Sequence, residues 1–357
     1  MTKKLILLGA LSGVLAITGC TSIGGPKLRA DQVDYGRALG DANKRAILSA
    51  LVGLRFADTP GFLTVTQIIA AYSFEAGGTA YVNPGPNNTS FARANVGASV
   101  SYSDHPTFTF TPTSGEAYAT QFIRPLPATM VLPLADSGVP IDLLLRLTAQ
   151  SIGGLQNGSE LGGPNSNGSP GFFQLLQVLR NLQSAGELTV ASEEVNHVEQ
   201  VSITFSATPG GESGATNADL DTVRRLLHLT PTQKTFQVVY GQAPIDGKQI
   251  PMVTRSVLGI LGNLGAQIDV PAEALSSGEV KPSVTLVGGE TRPTVIVHTG
   301  SKTPKGAYIA IRYEGQSYWI ERTDFDSKYA LNIVQNLMAL AQSNTQNAVP
   351  IITVPAS

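Results

Sequence analysis

The chain has 357 residues, of which 42% are hydrophobic and 14% are charged, and its formal net charge at pH 7 is −2. This length and apolar content suffice for one large or two modest folded domains, and the composition is unlike that of a disordered chain. The near-neutral charge provides no general attraction for nucleic acid, so we expect no nucleic-acid partner. The single cysteine excludes an internal disulfide and a thiolate metal site.

The N-terminal segment has the parts of a secretory signal peptide. Two lysines give it a basic start, and an uncharged apolar run, Leu5–Thr18, leads to a Gly-Cys pair that ends at Cys20. The apolar run is shorter than the roughly 20 residues that a membrane-spanning helix needs. We therefore expect residues 1–19 to be a signal peptide that is removed from the mature protein.

The stretch LAITGC, which ends at Cys20, resembles the lipobox of bacterial lipoproteins. The resemblance implies diacylglycerol on the Cys20 sulfur, cleavage before Cys20 and acylation of the new amine, with residues 20–30 as a tether. Two or more acyl chains anchor a protein stably, whereas one chain binds a membrane only marginally. Thr21 stands where an aspartate would imply inner-membrane retention, so the resemblance implies the outer membrane and its periplasmic face. The alternative is an ordinary signal peptide with a chance cysteine.

The first part of the expected globular region, residues 31–357, mixes helix and strand patterns. The stretch KRAILSALVGLRFADTPG has apolar residues at helical spacing and ends at a proline-glycine pair. The next run, FLTVTQIIAAYSF, fits a strand or a helix, residues 77–90 predict a loop, and alternation over residues 91–111 predicts β-strands. Three helical pieces are then predicted, within residues 114–123, 127–138 and 140–154.

The second part begins after a stretch rich in glycine, serine and asparagine, NGSELGGPNSNGSP, which predicts a loop and a candidate subdivision near residues 157–170. Helices are predicted over residues 171–186 and 217–229, and strands over ELTVAS, VEQVSITFS and KTFQVVYG. The stretch TRSVLGILGNLGAQIDVP predicts a helix interrupted by glycines.

The C-terminal region predicts a hairpin followed by a long helix. Strands Tyr308–Tyr313 and Ser317–Glu321 flank a turn at Glu314-Gly315. The stretch DFDSKYALNIVQNLMALAQS predicts a helix that Asp326 or Ser327 caps. Together, the patterns predict an α+β fold of antiparallel strands and several packed amphipathic helices, with the long C-terminal helix after the β-hairpin.

The chemistry-bearing residues do not form a recognisable catalytic pattern. The histidines include no pair at helical spacing that would hold a metal ion: His105, His197, His228 and His298. The stretch GESGA, at Gly211–Ala215, has a serine between glycines but lacks the pattern of a nucleophile elbow. We therefore predict no metal and no cofactor, and a hydrolase is the least favoured class of function.

The C-terminal hairpin concentrates aromatic residues and carboxylates. Tyr313, Tyr318 and Trp319, the only tryptophan, precede Asp324 and Asp326. Aromatic rings beside carboxylates can bind a glycan by stacking and hydrogen bonding, so the three aromatic residues are the candidate ligand-binding residues. The alternation along the strand favours a structural interpretation, in which one of Tyr318 and Trp319 packs under the last helix and the two aspartates are turn and cap residues.

Several longer stretches resemble a group of uncharacterised proteobacterial outer-membrane lipoproteins. They are LVGLRFADTPGFL, LLLRLTAQSIGGLQN, TRSVLGILGNLGAQIDVP, IAIRYEGQSYWIERTDFDSKYALNIVQNLMAL and the terminal PIITVPAS. The resemblance covers most of the chain after the signal segment. It implies a single folded unit at the outer membrane, and it implies no activity and no catalytic residue.

Two classes of function follow from these features. The first is a lipid-anchored cell-envelope protein with a structural or assembly role, which contacts the membrane through its N-terminal lipid and a protein partner of the envelope. The second is a periplasmic glycan-binding module centred on Tyr313, Tyr318 and Trp319.

Overall fold

The computed structural model describes residues 24–69, 72–83, 93–104, 107–158, 168–206, 214–242, 246–283 and 293–343. The chain divides into two compact units. The smaller unit is Gly61–Tyr118, and the larger one combines the residues before Gly61 with those from Ala119 onward. Both ends of the segment 157–170, where the sequence predicts a subdivision, belong to the larger unit.

Helices and mostly antiparallel strands are mixed along the chain, which confirms the predicted α+β class. The helices of the described residues are α1 (Gly24–Arg55), α2 (Gly115–Tyr118), α3 (Ala128–Val131), α4 (Pro133–Asp136), α5 (Ile141–Thr148), α6 (Pro170–Ser184), α7 (Gly214–Leu227), α8 (Val257–Gly265), α9 (Ala272–Ser276) and α10 (Phe325–Ser343), with a π-helical turn at Ala119–Ile123. The strands are β1 (Leu63–Ile69), β2 (Tyr72–Asn83), β3 (Arg93–Asp104), β4 (Thr107–Pro112), β5 (Ala149–Ile152), β6 (Leu155–Gln156), β7 (Leu188–Val195), β8 (Val198–Phe205), β9 (Thr235–Tyr240), β10 (Gln249–Thr254), β11 (His298–Gly300), β12 (Ile309–Tyr313) and β13 (Gln316–Ile320).

The smaller unit consists of two antiparallel strand pairs, β1 with β4 and β2 with β3. The predicted loop over residues 77–90 is wrong for residues 77–83, where β2 continues through two glycines. Gly77 pairs with Ser99 of β3, and a Cβ atom on Gly77 would lie only 2.9 Å from the Ser99 hydroxyl oxygen. Pairing with β3 therefore outweighs the turn propensity of these glycines. The rest of the predicted loop lies outside the described residues.

The larger unit contains a six-stranded sheet with the strand order β6-β5-β10-β9-β8-β7. Neighbouring strands are antiparallel except β9 and β10, which are parallel. One face of the sheet is apolar, with buried side chains such as Ile203, Phe205 and Phe236, and helices α3, α4, α5 and α6 contact the sheet strands. The carboxylate of Asp136, at the end of α4, accepts the backbone N–H of Val190 at 3.2 Å. One backbone donor of the edge strand β7 is thereby hydrogen-bonded.

Helix α1 has an exposed first part and a buried second part. We call residues 24–43 of α1 the arm. From Gln32 to the end of the arm, every side chain is exposed or half-buried. Buried residues begin at Ile47 and continue through the predicted apolar face, including Leu51, although Leu54 is only half-buried. Most of the predicted tether, residues 20–30, is therefore helical, because α1 begins at Gly24.

The second part of α1 packs closely against α8, the helix that the sequence predicts to be interrupted by glycines. A Cβ atom on Gly265 would lie 2.6 Å from the backbone oxygen of Leu51, which is shorter than any normal contact. Only glycine permits this approach of the two backbones. The glycine that looks like a helix breaker in the sequence is thus a packing residue.

The hairpin and the C-terminal helix lie where the sequence predicts them. Strands β12 and β13 flank a turn whose two residues, Glu314 and Gly315, both have positive φ, and β11 adds a third strand next to β13. The cap of α10 differs from the prediction: the carboxylate of Asp324 accepts the backbone N–H of Ser327 at 3.1 Å. Ser327 is fully buried, and its hydroxyl oxygen accepts the backbone N–H of Ile296 at 2.8 Å. Asp324 therefore caps the helix, and Ser327 holds the preceding segment against it.

We expect Gly265→Ala to lower the free energy of unfolding by about 1–3 kcal/mol, because the added methyl group must push α1 and α8 apart. Gly40→Ala is the matched control, since nothing lies within 4 Å of its added methyl group on the arm. Alanine is the better helix former, so the control should leave stability unchanged or raise it by up to about 1 kcal/mol. Denaturant unfolding of the two variants measures both effects, and equal effects would contradict the close helix contact.

Candidate functional site

Tyr318, one of the three aromatic residues that the sequence proposes for ligand binding, is part of the core. It is fully buried on β13, opposite Thr299 of β11. Burial raises the pKa of its phenol, and the Thr299 hydroxyl and the charge of Arg55 oppose this increase. In the described residues, the hydroxyl groups of Tyr318 and Thr299 have no hydrogen bond of normal geometry. Tyr318 is thus the buried member of the predicted alternating pair and is not available to a ligand at the surface.

Trp319 lies on the opposite face of the same strand and is half-buried. Its ring stacks on the imidazole of His298, with a centroid distance of 5.7 Å and an interplanar angle of 21°. Nε2 of His298 lies 3.8 Å from a carboxylate oxygen of Glu321. The face of Trp319 that a sugar ring would need on this side is therefore covered by a protein side chain.

Tyr313 lies beside the hairpin turn, opposite Gln316 of β13. Its ring contacts Phe56 at a centroid distance of 5.3 Å, and its hydroxyl donates a hydrogen bond to the carboxylate of Asp58. It thus connects the hairpin to the segment that follows α1. The three aromatic residues have three different surroundings and do not form a shared stacking surface.

The described histidines lie on separate elements. His197 is exposed at the turn between β7 and β8, where Nδ1 lies 3.4 Å from a Glu194 carboxylate oxygen. His228 directly follows α7, and His298 is the first residue of β11. In the described residues, no serine hydroxyl is hydrogen-bonded to any of these three histidines. His105 and the serine of GESGA lie outside the described residues.

A metal site is likewise not assembled in the part of the chain that the structure describes. No group of three or more histidine, aspartate or glutamate side chains there is arranged to hold a metal ion. The same residues include no helix of sufficient length and apolar character to cross a membrane.

The second face of the six-stranded sheet carries a polar surface that the sequence does not reveal. We call it the outer face, and it consists of Glu193, Gln200, Ser202, Thr235, Gln237 and Gln249 on strands β7 to β10. Strand pairing places these residues side by side: Glu193 with Gln200, Ser202 with Gln237, and Gln237 with Gln249. Their side chains line a shallow concavity of about 440 Å³.

A glutamine ladder crosses the outer face. The Gln249 side-chain amide donates to the Gln237 carbonyl oxygen at 3.1 Å, and the Gln237 amide donates to the Gln200 carbonyl oxygen at 2.7 Å. In the described structure, this leaves Nε2 of Gln200 and Oε1 of Gln249 without a protein partner at the two ends of the ladder. One donor and one acceptor group are therefore positioned for a ligand, without a strong charge between them.

The outer face becomes apolar at one end of the sheet. Val195 and Val198 pair with each other across β7 and β8, on the same side as Glu193 and Gln200, and both are exposed. Exposed apolar side chains next to a neutral polar surface are the composition of many protein-contact surfaces.

The strand patterns could identify polar positions in β8 and β9, but not the glutamine ladder. The glutamines are separated by 37 and 12 residues along the chain, so only the strand order and register bring them together. The parallel pairing of β9 and β10 also gives no signal in the sequence, because a short connection normally indicates an antiparallel pair.

Comparison with known proteins gives no family and no relative. No protein-family model matches the chain, and no curated protein or solved structure matches it. Functional inference therefore depends on the sequence and geometry of the chain itself.

We expect the buried phenol of Tyr318 to make the protein sensitive to alkaline pH. The unfolded chain releases this proton near the ordinary pKa of 10.0, whereas the folded protein retains it to higher pH. The folded state therefore binds more protons in this range, and the free energy of unfolding falls as the pH rises above about 10. Tyr318→Phe removes this contribution and should lose less stability than the wild type between about pH 8 and about pH 11.

Urea unfolding at the two pH values measures this difference. Tyr240→Phe is the matched control, since it removes the same hydroxyl group from a side chain that is 79% exposed. An identical pH dependence of wild type and Tyr318→Phe would contradict the assignment.

Proposed function

We propose that this chain is a lipid-anchored cell-envelope protein with a structural or assembly role, held at the periplasmic face of the outer membrane through Cys20. The observation that carries the proposal is the stretch LAITGC, followed four residues after Cys20 by the start of helix α1. The lipobox resemblance supplies the anchor, and the helix supplies a spacer between the anchor and the folded body.

The arm of α1, whose side chains are exposed or half-buried from Gln32 onward, has the properties of such a spacer. At about 1.5 Å per residue, the helical residues 24–43 extend for about 30 Å. Asp34 and Arg37 approach to 4.0 Å at a helical spacing of three residues, and Asp41 and Lys44 approach to 3.0 Å at the same spacing. Pairs of this kind support a solvated helix modestly. A solvated helix of this length would hold the body clear of the lipid headgroups.

The outer face is the surface that we assign to the envelope partner. It combines the glutamine ladder with the exposed valine pair, Val195 and Val198, at its end. The ladder itself is uncharged, and Glu193 and Lys248 supply one charge of each sign to the same concavity. A partner can therefore cover the ladder without burying an unpaired charge, which would be costly. This composition favours a protein partner that packs on the valine end and hydrogen-bonds to the ladder.

A glycan is the second candidate ligand, and the glutamine ladder is a better candidate site for it than the C-terminal hairpin. Planar amide groups with a free donor and a free acceptor suit the hydroxyl groups of a neutral polysaccharide. This places the glycan-binding alternative on Gln200, Gln237 and Gln249 instead of Tyr313, Tyr318 and Trp319, because Tyr318 is buried and Trp319 is stacked on His298.

We expect the wild-type chain to carry the added mass of its acyl groups and to fractionate with the outer membrane. Cys20→Ala removes the sulfur that receives the lipid, so this variant should lack the acyl mass and leave the outer-membrane fraction. Thr21→Asp is the matched variant: it should keep the acyl mass and move to the inner membrane. Intact-mass analysis and membrane fractionation measure these outcomes, and a Cys20→Ala chain that is processed and located like the wild type would exclude the anchor.

The outer face is tested by a photo-cross-linking residue at Ser202, in the full lipidated chain in intact cells. We expect one defined envelope protein to be captured from Ser202 and not from Ser276, an exposed control position on α9.

For the glycan alternative, Gln237→Leu should reduce co-sedimentation with peptidoglycan at least tenfold, while the fluorescence of Trp319 stays unchanged. If no protein is captured from either position, and wild type and Gln237→Leu sediment equally, the outer face is neither the partner site nor the glycan site.

A further inference from the structure

A cavity of about 630 Å³ lies in the larger unit, between the end of α1, one side of α8 and the segment that follows α9. This volume falls in the range of roughly 300–1,000 Å³ that is typical of small-molecule sites. The cavity is separate from the outer face, since the two share no lining residue.

The charged group of this cavity is Arg55, the last residue of α1, which is only 8% exposed. Its Nε donates to the backbone oxygen of Ile268 at 3.2 Å, and its Nη2 donates to the backbone oxygen of Lys281 at 2.6 Å and to the Ser283 hydroxyl at 3.3 Å. Nη1 donates no hydrogen bond in the described residues. It is also not one of their fully buried polar atoms that lack a hydrogen-bond partner. One edge of the guanidinium therefore remains open to solvent at the cavity.

A second buried arginine, Arg255, has a purely structural role and serves as a comparison for Arg55. Arg255 is 5% exposed, and both of its Nη atoms donate to backbone oxygens: Nη1 to Arg146 and Leu147, and Nη2 to Gly158. Both Nη atoms of Arg255 thus connect segments of the chain to one another. Arg55 uses one Nη atom in this way and leaves the other unused.

The charge of Arg55 has no close counter-ion in the described residues. No carboxylate lies within ion-pair distance, and Asp269 acts on Arg55 only at longer range. Burial lowers the pKa of Arg55, which reflects the cost of removing the cation from water. At the rim, Lys281 adds a second positive charge and Glu279 a negative one, both on exposed side chains. The net charge of the lining is therefore positive.

The remaining side chains that line the cavity are mostly apolar, and several of them are small. Leu54, Leu258, Val280 and Pro282 supply apolar surface, and the small residues Gly259 and Gly262 of α8, with Ala266 just after it, leave open space. A small inorganic anion would leave this apolar surface in contact with water. An organic anion with a short hydrocarbon portion would cover it and place its charge at Nη1 of Arg55.

We propose that this cavity binds an organic carboxylate of medium chain length, whose carboxylate accepts hydrogen bonds from Nη1 of Arg55 and whose hydrocarbon chain packs between Leu54, Leu258 and Val280. The site is independent of the lipid anchor and of the outer face, so it adds a small-molecule ligand to the proposed assembly role.

The test is calorimetric titration of the full chain, purified from membranes in a nonionic detergent, with titration into detergent alone as the reference. The probes are octanoate, octanol and inorganic phosphate. We expect saturable binding of one octanoate per chain, with octanol and phosphate each bound at least tenfold more weakly. Octanol bound as tightly as octanoate would overturn the role of Arg55, and phosphate bound as tightly would overturn the role of the apolar lining.

Two variants separate binding from folding. Arg55→Met should weaken octanoate binding at least tenfold, but it also removes the hydrogen bonds to Ile268 and Lys281. Ala266→Leu keeps Arg55 and fills the cavity from α8, so it should weaken octanoate binding to a similar extent with the fold intact. Ala38→Leu, an equal change on the exposed arm, should bind octanoate like the wild type. Wild-type affinity in Ala266→Leu, or no saturable binding in the wild type, would overturn the proposal.

Discussion

The guanidinium of Arg55 joins the end of α1 to backbone oxygens that lie 213 and 226 residues later in the chain. A buried cation of this kind is tolerated only when most of its hydrogen-bond donors are satisfied, so these contacts fix where α1 ends relative to the rest of the larger unit. Two neighbouring features depend on that position. Gly265 lets α8 approach the backbone of Leu51, and the buried phenol of Tyr318 lies within the field of the same charge. Arg55 thus ties the end of α1 to the segments that follow α8 and α9.

This arrangement has a consequence for how an anchored chain would fold. Contacts between residues more than 200 positions apart close very large loops, and they form after the local helices and hairpins. The buried half of α1 can therefore dock only once the C-terminal half of the chain has been delivered and has folded. The side chains of the arm from Gln32 onward are exposed or half-buried, so this part of α1 lies outside the packed core. An N-terminal anchor and a late-docking helix are compatible because the arm separates the two.

The features that the sequence predicts correctly are those with local physical causes. Helix α10, the Glu314-Gly315 turn and the alternating strands of the hairpin all follow from spacing and turn chemistry within a few residues. The features that it misses depend on contacts that are distant along the chain. Strand β2 continues through Gly77 because β3 pairs with it, and Ser327 does not cap α10 because it lies inside the helix, where its hydroxyl oxygen accepts the backbone N–H of Ile296.

The candidate sites follow the same division. Aromatic residues next to one another in sequence draw attention to the hairpin, but strand geometry sends Tyr318 and Trp319 to opposite faces. The glutamines of the outer face are scattered in sequence, and the register of three strands joins them. Arg55 likewise gives no signal, since an arginine at the end of an amphipathic helix is ordinarily a solvated residue that favours the helix dipole. Its burial follows from the later segments that close over it, and the unused Nη1 is what distinguishes it from Arg255. The polar outer face and the positively charged cavity therefore have two different chemistries, and each is created by tertiary structure.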